Sequence, residues 1–420
     1  MKKGQKVSKN RIKTLHKQIK ESQIPDIFTR FAVFVFVAAI AVAVITFGRG
    51  YRFDLNTQTV SSTGILAISS TPENAQVYIN GDLRGATDLN INLEPGTYVI
   101  EIKKEGYRSF QQTIRLKGEI VQAVDPILFP INPSLNPLTT IGVSKVKQVQ
   151  STDRFVIVSD SDDAEKNGIY LYEATDNPLD FLPPLSPILL QADIPISVDL
   201  QQTAFIFSPD HNEMIASFLS EDGEPVATYL LNMKKENTNV LDISTSKQAL
   251  LDAWIQQEEK NRAKILETLP KDMQIVASDS FIMIKYSPDK TKFLYQADQD
   301  ITIPRIIQPP LIGSNQTPEV RNIKKGAIYV YDRREDKNFE IDSPVGIEDM
   351  YWYTDSKRIV YREDGQISIS LYDGEVRQTV YSGPLEQGFV AASPDGKILI
   401  LANLNPISNK HPDLYQVGIQ

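Results

Sequence analysis

What most constrains this chain is a unit that recurs along its second half. "FIFSPDHNEMIASFLSEDGEPVATYLLN" begins at Phe205, "IKYSPDKTKFLYQADQD" at Ile284, "WYTDSKRIVYREDGQISISLYDGE" at Trp352 and "VAASPDGKILILANLN" at Val390. "STDRFVIVSDSDDAEKNGIYLYEA", from Ser151, is a worn copy. Each reads as a strand, a Ser-Pro-Asp-x turn, a strand, a polar turn and a further strand. One such sheet leaves both faces open, and stacking it on neighbours in a ring buries them. Recurrence at about 40 residues with insertions therefore predicts β-propeller blades. Five copies can be counted, and five to seven blades fit residues 141–420.

The turns themselves have a local reason. Pro209, Pro288 and Pro394 fix φ, while Asp210, Asp289 and Asp395 can bond the backbone ahead of them. Ser208, Ser287 and Ser393 complete the set. We read all nine as turn formers rather than catalytic groups. With these residues in place the region resembles TolB-like and WD40-like propellers.

Two insertions interrupt the rhythm. "SKQALLDAWIQQEEKNRAKILETLP", 246–270, has a helical composition. It is apolar at Leu250, Leu251, Trp254 and Ile255, then at Ile265, Leu266 and Leu269, with a polar middle and a proline stop. This predicts one inserted helix that packs on the propeller or docks on a partner. "ITIPRIIQPPLIGSNQTPEV", 301–320, is a Pro-rich loop long enough to suggest a function. Its Ile306, Ile307, Leu311 and Ile312, with Trp254 on the helix, are the candidate contact surface.

The N-terminal end sets the compartment. Phe31 to Gly48, "FAVFVFVAAIAVAVITFG", is an uncharged run bracketed by Arg30 and Arg49, at the short end of what spans a bilayer. Before it lie Lys2, Lys3, Lys6, Lys9, Arg11, Lys13, Lys17, Lys20 and Arg30 against Glu21 and Asp26, a balance of +7. By the positive-inside rule this basic tail, 1–30, stays in the cytoplasm, against anionic headgroups, and everything from Tyr51 onward is exported. Ala39-Ile40-Ala41 and Ala41-Val42-Ala43 offer the small-x-small pattern of a cleaved signal. The long basic region and the apolar run continuing past Ala43 favour an uncleaved single-pass anchor at 31–48, followed by a linker at 49–63.

Between anchor and repeats, residues 64–127 read as short strands separated by turn chemistry. Asn74 tolerates a left-handed backbone after Pro72, and Asn80-Gly81 is a strong hairpin signal. A strand, the Pro95-Gly96 turn and a second strand carrying Tyr98, Ile100 and Ile102 on one face follow. "PENAQVYING", "GDLRGAT" and "LEPGTYVIEIKKEGY" together resemble a PEGA domain. Pro72, Glu73, Ala75, Gly81, Gly85, Pro95, Gly96, Tyr98, Gly106 and Tyr107 fit its pattern, and Asn74 stands where that pattern has glycine. The resemblance implies a small β-sandwich module of a bacterial or archaeal surface protein, with a binding role and no catalysis. A Pro-rich linker, 128–140, leads into the propeller.

Composition narrows the chemistry. The chain has 420 residues, 23% of them charged and 41% hydrophobic, as an ordinary globular body would. With no cysteine it has no disulfides, thiolate metal sites or cysteine nucleophiles. Net charge is −9, so the part beyond the basic tail carries −16 and is a poor partner for nucleic acid. His16, His211 and His411 are too few and too scattered for a three-histidine zinc site. "DSDDAEKNG", 160–168, is acidic but lacks the ligand and turn glycine a calcium loop needs where Ala164 and Glu165 stand. No phosphate loop, dinucleotide fingerprint or nucleophile elbow is present.

The expectation is a mostly β protein with one transmembrane helix, a PEGA-like sandwich and a propeller. It would act without catalysis or cofactor on the outer face of the cytoplasmic membrane, binding a protein, a peptide or cell-wall glycan. A propeller hydrolase or lyase acting on envelope polymer, and a sensor or assembly factor, are the alternatives.

Overall fold

A computed structural model describes residues 28–45, 51–54, 59–150, 152–161, 164–174, 185–311, 315–386, 389–407 and 410–419. The chain divides into two compact units. Met1–Ser69, Thr87–Val99 and Thr113–Asp125 make the first; Ser70–Ala86, Ile100–Gln112 and Pro126–Gln420 make the second.

In the first unit, helix α1 runs Phe28–Ile45 with a mean hydropathy of 2.5 and no buried residue. It starts three residues before the expected span, and 46–48 lie outside the described residues. The expected linker at 49–63 holds a hairpin, Tyr51–Asp54 paired antiparallel with Thr59–Ser62. A three-stranded sheet follows, with Gly64–Ile68 between Leu89–Leu93 and Val121–Val124. Its central strand pairs antiparallel with the former and parallel with the latter. Gly64 permits a close approach that a side chain would block, because a Cβ there would meet the Lys117 carbonyl oxygen at 2.4 Å.

The second unit holds the larger part of a four-stranded sheet ordered Asp82–Ala86, Gln76–Ile79, Gly96–Lys103, Phe110–Leu116. Asn80 and Gly81, at φ 52° and 88°, make the tight turn between the first two strands, as the Asn-Gly pair predicts.

Five further sheets make the propeller-like body. Blade 1 is Val143–Gln148, Arg154–Ser159, Gly168–Glu173 and Leu185–Leu190. Blade 2 is Thr203–Phe207, Glu213–Leu219 and Pro225–Asn232. Blade 3 is Phe281–Tyr286, Lys292–Ala297, Ile328–Asp332 and Lys337–Ile341. Blade 4 is Tyr351–Trp352, Arg358–Glu363, Gln366–Leu371 and Gln378–Tyr381. Blade 5 joins Val390–Ala392, Ile398–Ala402 and Asp413–Gly418 to Ser134–Pro137, a strand from the segment the sequence reads as a linker. The chain's entry into the propeller is thereby sewn to its exit. Thr139 Oγ1 donates to Asp413 Oδ1 at 2.9 Å and accepts from the Leu414 N–H at 2.9 Å.

The continuously apolar strands have a simple cause. Side chains alternate across a sheet, so a strand buried on both faces needs no polar positions. In Arg154–Ser159, Val156 and Val158 pack toward blade 2 while Phe155 and Ile157 pack toward blade 5. Leu399 and Leu401 of blade 5 face blade 1, and Ile398 and Ile400 face blade 4. Ile359 and Tyr361 of blade 4 meet Leu294 and Val330 of blade 3.

The seam between blades 2 and 3 is built differently. The expected helix is α2, Lys247–Glu267, and a second helix that the sequence reading does not foresee, α3, Lys271–Ser280, follows at once. Helix α2 closes at Thr268, and Pro270 occupies the N-cap position of α3. Leu269, Met273 and Ala277 cover the face of blade 3 that carries Phe293, Tyr295, Tyr329 and Tyr331. From α2, Lys247 Nζ reaches Ser217 Oγ of blade 2 at 3.0 Å. Helix α2 itself has no buried residue.

Candidate functional site

The repeating turns provide the rigid frame. Ser208 Oγ donates to Asp210 Oδ1 at 2.7 Å and accepts from the Glu213 N–H at 2.9 Å. Ser287, Asp289 and Lys292 repeat this in blade 3 at 2.7 and 3.0 Å. The residue after the aspartate is left-handed each time: His211, Lys290, Ser356 and Gly396, at φ 58°, 58°, 58° and 78°. Only glycine adopts that conformation freely. Lys290 is thus held at a strained corner, its backbone direction set by the turn. The Ser208 hydroxyl and Asn212 hold the Asp210 carboxyl down at about 2. Burial works against Asp289, but the Thr291 and Ser287 donors hold it at about 2 as well. Serine and aspartate serve as turn formers, as the sequence reading has it.

At the rim of blade 3 this frame and both insertions meet around a cleft of about 520 Å³. Thr268, Leu269 and Pro270 from the corner between α2 and α3 form one wall. Ile306 and Ile307 of the Pro-rich loop form another, and Lys290 with Thr291 closes a third side. Tyr331, Arg333, Arg334 and Asp336, from a strand end and its turn, complete it. The loop is pinned rather than free. Asp336 Oδ2 accepts the N–H groups of Ile306 and Ile307 at 2.7 and 2.8 Å, and Asp336 Oδ1 accepts the Tyr331 hydroxyl at 2.7 Å. Arg321 binds both Asp336 and the Pro304 carbonyl, and pairs with Glu319 at 2.8 Å. Farther along, Asn315 Nδ2 and Thr317 Oγ1 both donate to Asp373, at 2.7 and 2.8 Å.

Charge in the cleft is uneven. Asp336 is buried and its oxygens are spent on the loop, and burial pushes the Tyr331 hydroxyl far above its ordinary range. Arg333 stitches the walls together, donating to the Thr268 carbonyl at 2.7 Å and the Lys290 carbonyl at 3.2 Å. Lys290 and Arg334 are exposed, and their side-chain nitrogens have no partner among the described residues. The cleft therefore offers an aliphatic floor beneath two uncommitted cations.

Of the candidate contact residues, Ile306 and Ile307 line this cleft, half-buried rather than fully exposed. Leu311 is 46% exposed and stands outside it, and Ile312 lies outside the described residues. Trp254 is half-buried on α2 and does not reach the cleft. The residues of the PEGA pattern divide among turns, strands and core. Asn74 is left-handed at φ 60° and Gly106 at 81°, while Ala75 is fully buried. Glu73, beside Pro72, offers its carbonyl to Lys104 Nζ at 2.6 Å, and Tyr107 bridges to Pro130. Gly96 opens the strand that follows Pro95, and Tyr98 donates to the Glu94 carbonyl at 2.9 Å. A wider groove of about 860 Å³ lies beside Lys103, Lys104 and Arg108. Its lysines are engaged, Lys103 with Glu101 at 2.8 Å and Lys104 with Glu73, which makes it the weaker candidate. Tip residues 160 and 161 of the acidic segment bond within the protein, Asp160 accepting from the Gln201 side-chain amide and the Ser161 N–H donating to Asn167. Among the described residues no cluster of acids and histidines is arranged to hold a metal ion.

Two lysines that nothing in the sequence singles out tie neighbouring blades. Lys145 Nζ, on the first strand of blade 1, donates to the Thr203 carbonyl of blade 2 at 2.7 Å. Lys285 Nζ, on the first strand of blade 3, donates to the carbonyls of Glu348 and Met350 at 2.8 and 3.2 Å. Burial lowers both amines, assisted by the charge of Lys147, and Lys285 falls to about 8 although Asp349 and Glu348 oppose the shift. A lysine in a strand pattern gives no sign of which carbonyl it will meet, so only the blade-to-blade geometry reveals the staple.

No curated protein matches this chain. Solved structures similar to it include a TolB candidate from Agrobacterium tumefaciens, 11% identical, covering 82% of this chain and 98% of that one at a TM-score of 0.20. The β-propeller domain of the Trilobed protease from Pyrococcus furiosus is 10% identical, covering 82% and 80% at 0.16. A protein from Bacteroides thetaiotaomicron is 9% identical, covering 83% and 91% at 0.24. At such scores the likenesses carry no argument, and the five-bladed arrangement rests on strand pairing. Residues 63–129 match the PEGA domain, so the chain carries that module ahead of its propeller-like sheets.

Proposed function

We propose that this chain is a non-catalytic envelope protein, anchored by α1 with its bulk on the outer face of the cytoplasmic membrane, that binds a protein partner at the cleft on blade 3. One observation carries the binding role: the helical insertion and the Pro-rich loop, separate in sequence, converge on one cleft and are pinned there by Arg333 and Asp336. Polar atoms are committed to holding the walls, an arrangement suited to presenting a fixed surface. The one acid lining the cleft among the described residues supports this reading over the hydrolase alternative, because Asp336 is already engaged by two N–H groups, a hydroxyl and a guanidinium. The anchor reading draws on the basic tail before α1 and on the length and hydropathy of that helix.

The test uses full-length protein in its own membrane. Protease added to intact spheroplasts should remove everything beyond α1 and spare the basic tail. Crosslinking in the same spheroplasts should then retain an envelope protein on the full-length chain. Survival of the β body until lysis, or no retained protein, overturns the reading.

A further inference from the structure

We infer that the cleft on blade 3 takes an acidic, extended peptide segment of its partner, with carboxylates at Lys290 and Arg334 and an aliphatic side chain against Leu269, Pro270, Ile306 and Ile307. This rests on the reading above that the chain is a binding protein. Charge complementarity argues for the carboxylates. The body beyond the basic tail carries −16, a field that repels acidic partners almost everywhere. At this cleft the sign reverses locally. Lys290, Arg333 and Arg334 stand together, and the acid lining the cleft, Asp336, is buried and compensated by Arg321. Lys290 and Arg334 are exposed, with no side-chain partner among the described residues, so both can bind a ligand without breaking an internal contact. Helix α3 also begins here, its N-cap being Pro270, which has no side chain to accept from the first amides. That terminus adds positive potential within its first turn, partly offset by Asp272.

The floor argues for peptide over glycan. Sugar rings stack on aromatic faces, whereas this lining is aliphatic, and its aromatic member, Tyr331, is buried with its hydroxyl bonded to Asp336. At about 520 Å³ the cleft suits one or two side chains of a segment lying across the rim.

The test titrates full-length protein in nanodiscs with two fluorescent ten-residue probes, one alternating leucine with glutamate and one alternating leucine with glutamine. The glutamate probe should bind about tenfold more tightly at low salt, and the advantage should shrink as salt rises. Lys290→Gln and Arg334→Gln should each weaken it about fivefold, leaving the melting temperature and the glutamine probe unaffected. Ile307→Ala should weaken both probes. Equal affinity for the two probes, or binding indifferent to both charge variants, overturns the inference, as does binding of a polyglycerol phosphate polymer with none of the glutamate probe. Capture of an envelope protein in spheroplasts that is unchanged in Lys290→Gln and Arg334→Gln also overturns it while leaving the proposed function standing. Probe binding as expected with no envelope protein captured supports the inference and removes the proposed function.

Discussion

Asp336 Oδ2 lies 2.7 Å from the backbone nitrogen of Ile306, and this bond decides where the Pro-rich loop goes. A carboxylate accepts several N–H groups at once, so one buried acid can hold a corner of irregular chain against a blade. The neighbouring N–H of Ile307, the Tyr331 hydroxyl and the Arg321 guanidinium share the same group. Asp336→Ala would leave Arg321 without its buried partner and two backbone donors unsatisfied. We expect a loss of about 3–5 kcal/mol, measured as a lowered urea midpoint of the full-length protein. Protease sensitivity should rise within residues 301–320 before it rises in the blades.

Lys285 gives stability a pH dependence of known sign. Its amine is near 8 in the folded protein against an ordinary 10.5, mainly through burial. Below about 8 both states hold the proton and the fold bears the full cost of the buried charge. Between about 8 and 10.5 the unfolded chain keeps a proton the folded one has released, so stability rises with pH across that window. Urea midpoints from pH 7 to pH 10 should show this rise in the wild type. The difference between wild type and Lys285→Met should change in step with it, and a constant difference would contradict the assignment.

Closure of the propeller is testable at Thr139. Its hydroxyl bonds Asp413 and the Leu414 N–H in a buried setting, beside the pairing of Ser134–Pro137 with the last strand. Thr139→Val keeps the shape and strands both partners, a cost of about 1–3 kcal/mol. Hydrogen exchange should speed up at residues 413–418 more than in blade 3.

Lys290 separates stability from binding. It occupies the left-handed position that Gly396 fills in blade 5. Lys290→Gly relieves a strain of about 1 kcal/mol, offset in part by the added freedom of the unfolded chain. Thermal stability should therefore hold or rise slightly while the glutamate probe binds more weakly.

Much of the architecture is determined locally. The Ser-Pro-Asp turns, the Asn80-Gly81 hairpin and the left-handed Asn74 follow from residues a few positions apart, so their conformations can be read directly from sequence. Uninterrupted apolar strands such as Phe155 to Val158 state that both faces are covered, and α1 states its own length and character. Tertiary structure decided what covers what. Ser134–Pro137 contains three residue types typical of loops, serine, asparagine and proline, and it is a strand because Asp413–Gly418 offers an unpaired edge nearly 280 residues away in sequence. Helix α3 forms on a short, weakly patterned segment because the aromatic face of blade 3 needs a cover. The cleft joins residues 268–270, 290–291, 306–307 and 331–336 through long-range bonds to carbonyls and to Asp336. Such bonds leave no periodic trace, since any arginine or aspartate could make them, and their partners exist only once the blades have stacked.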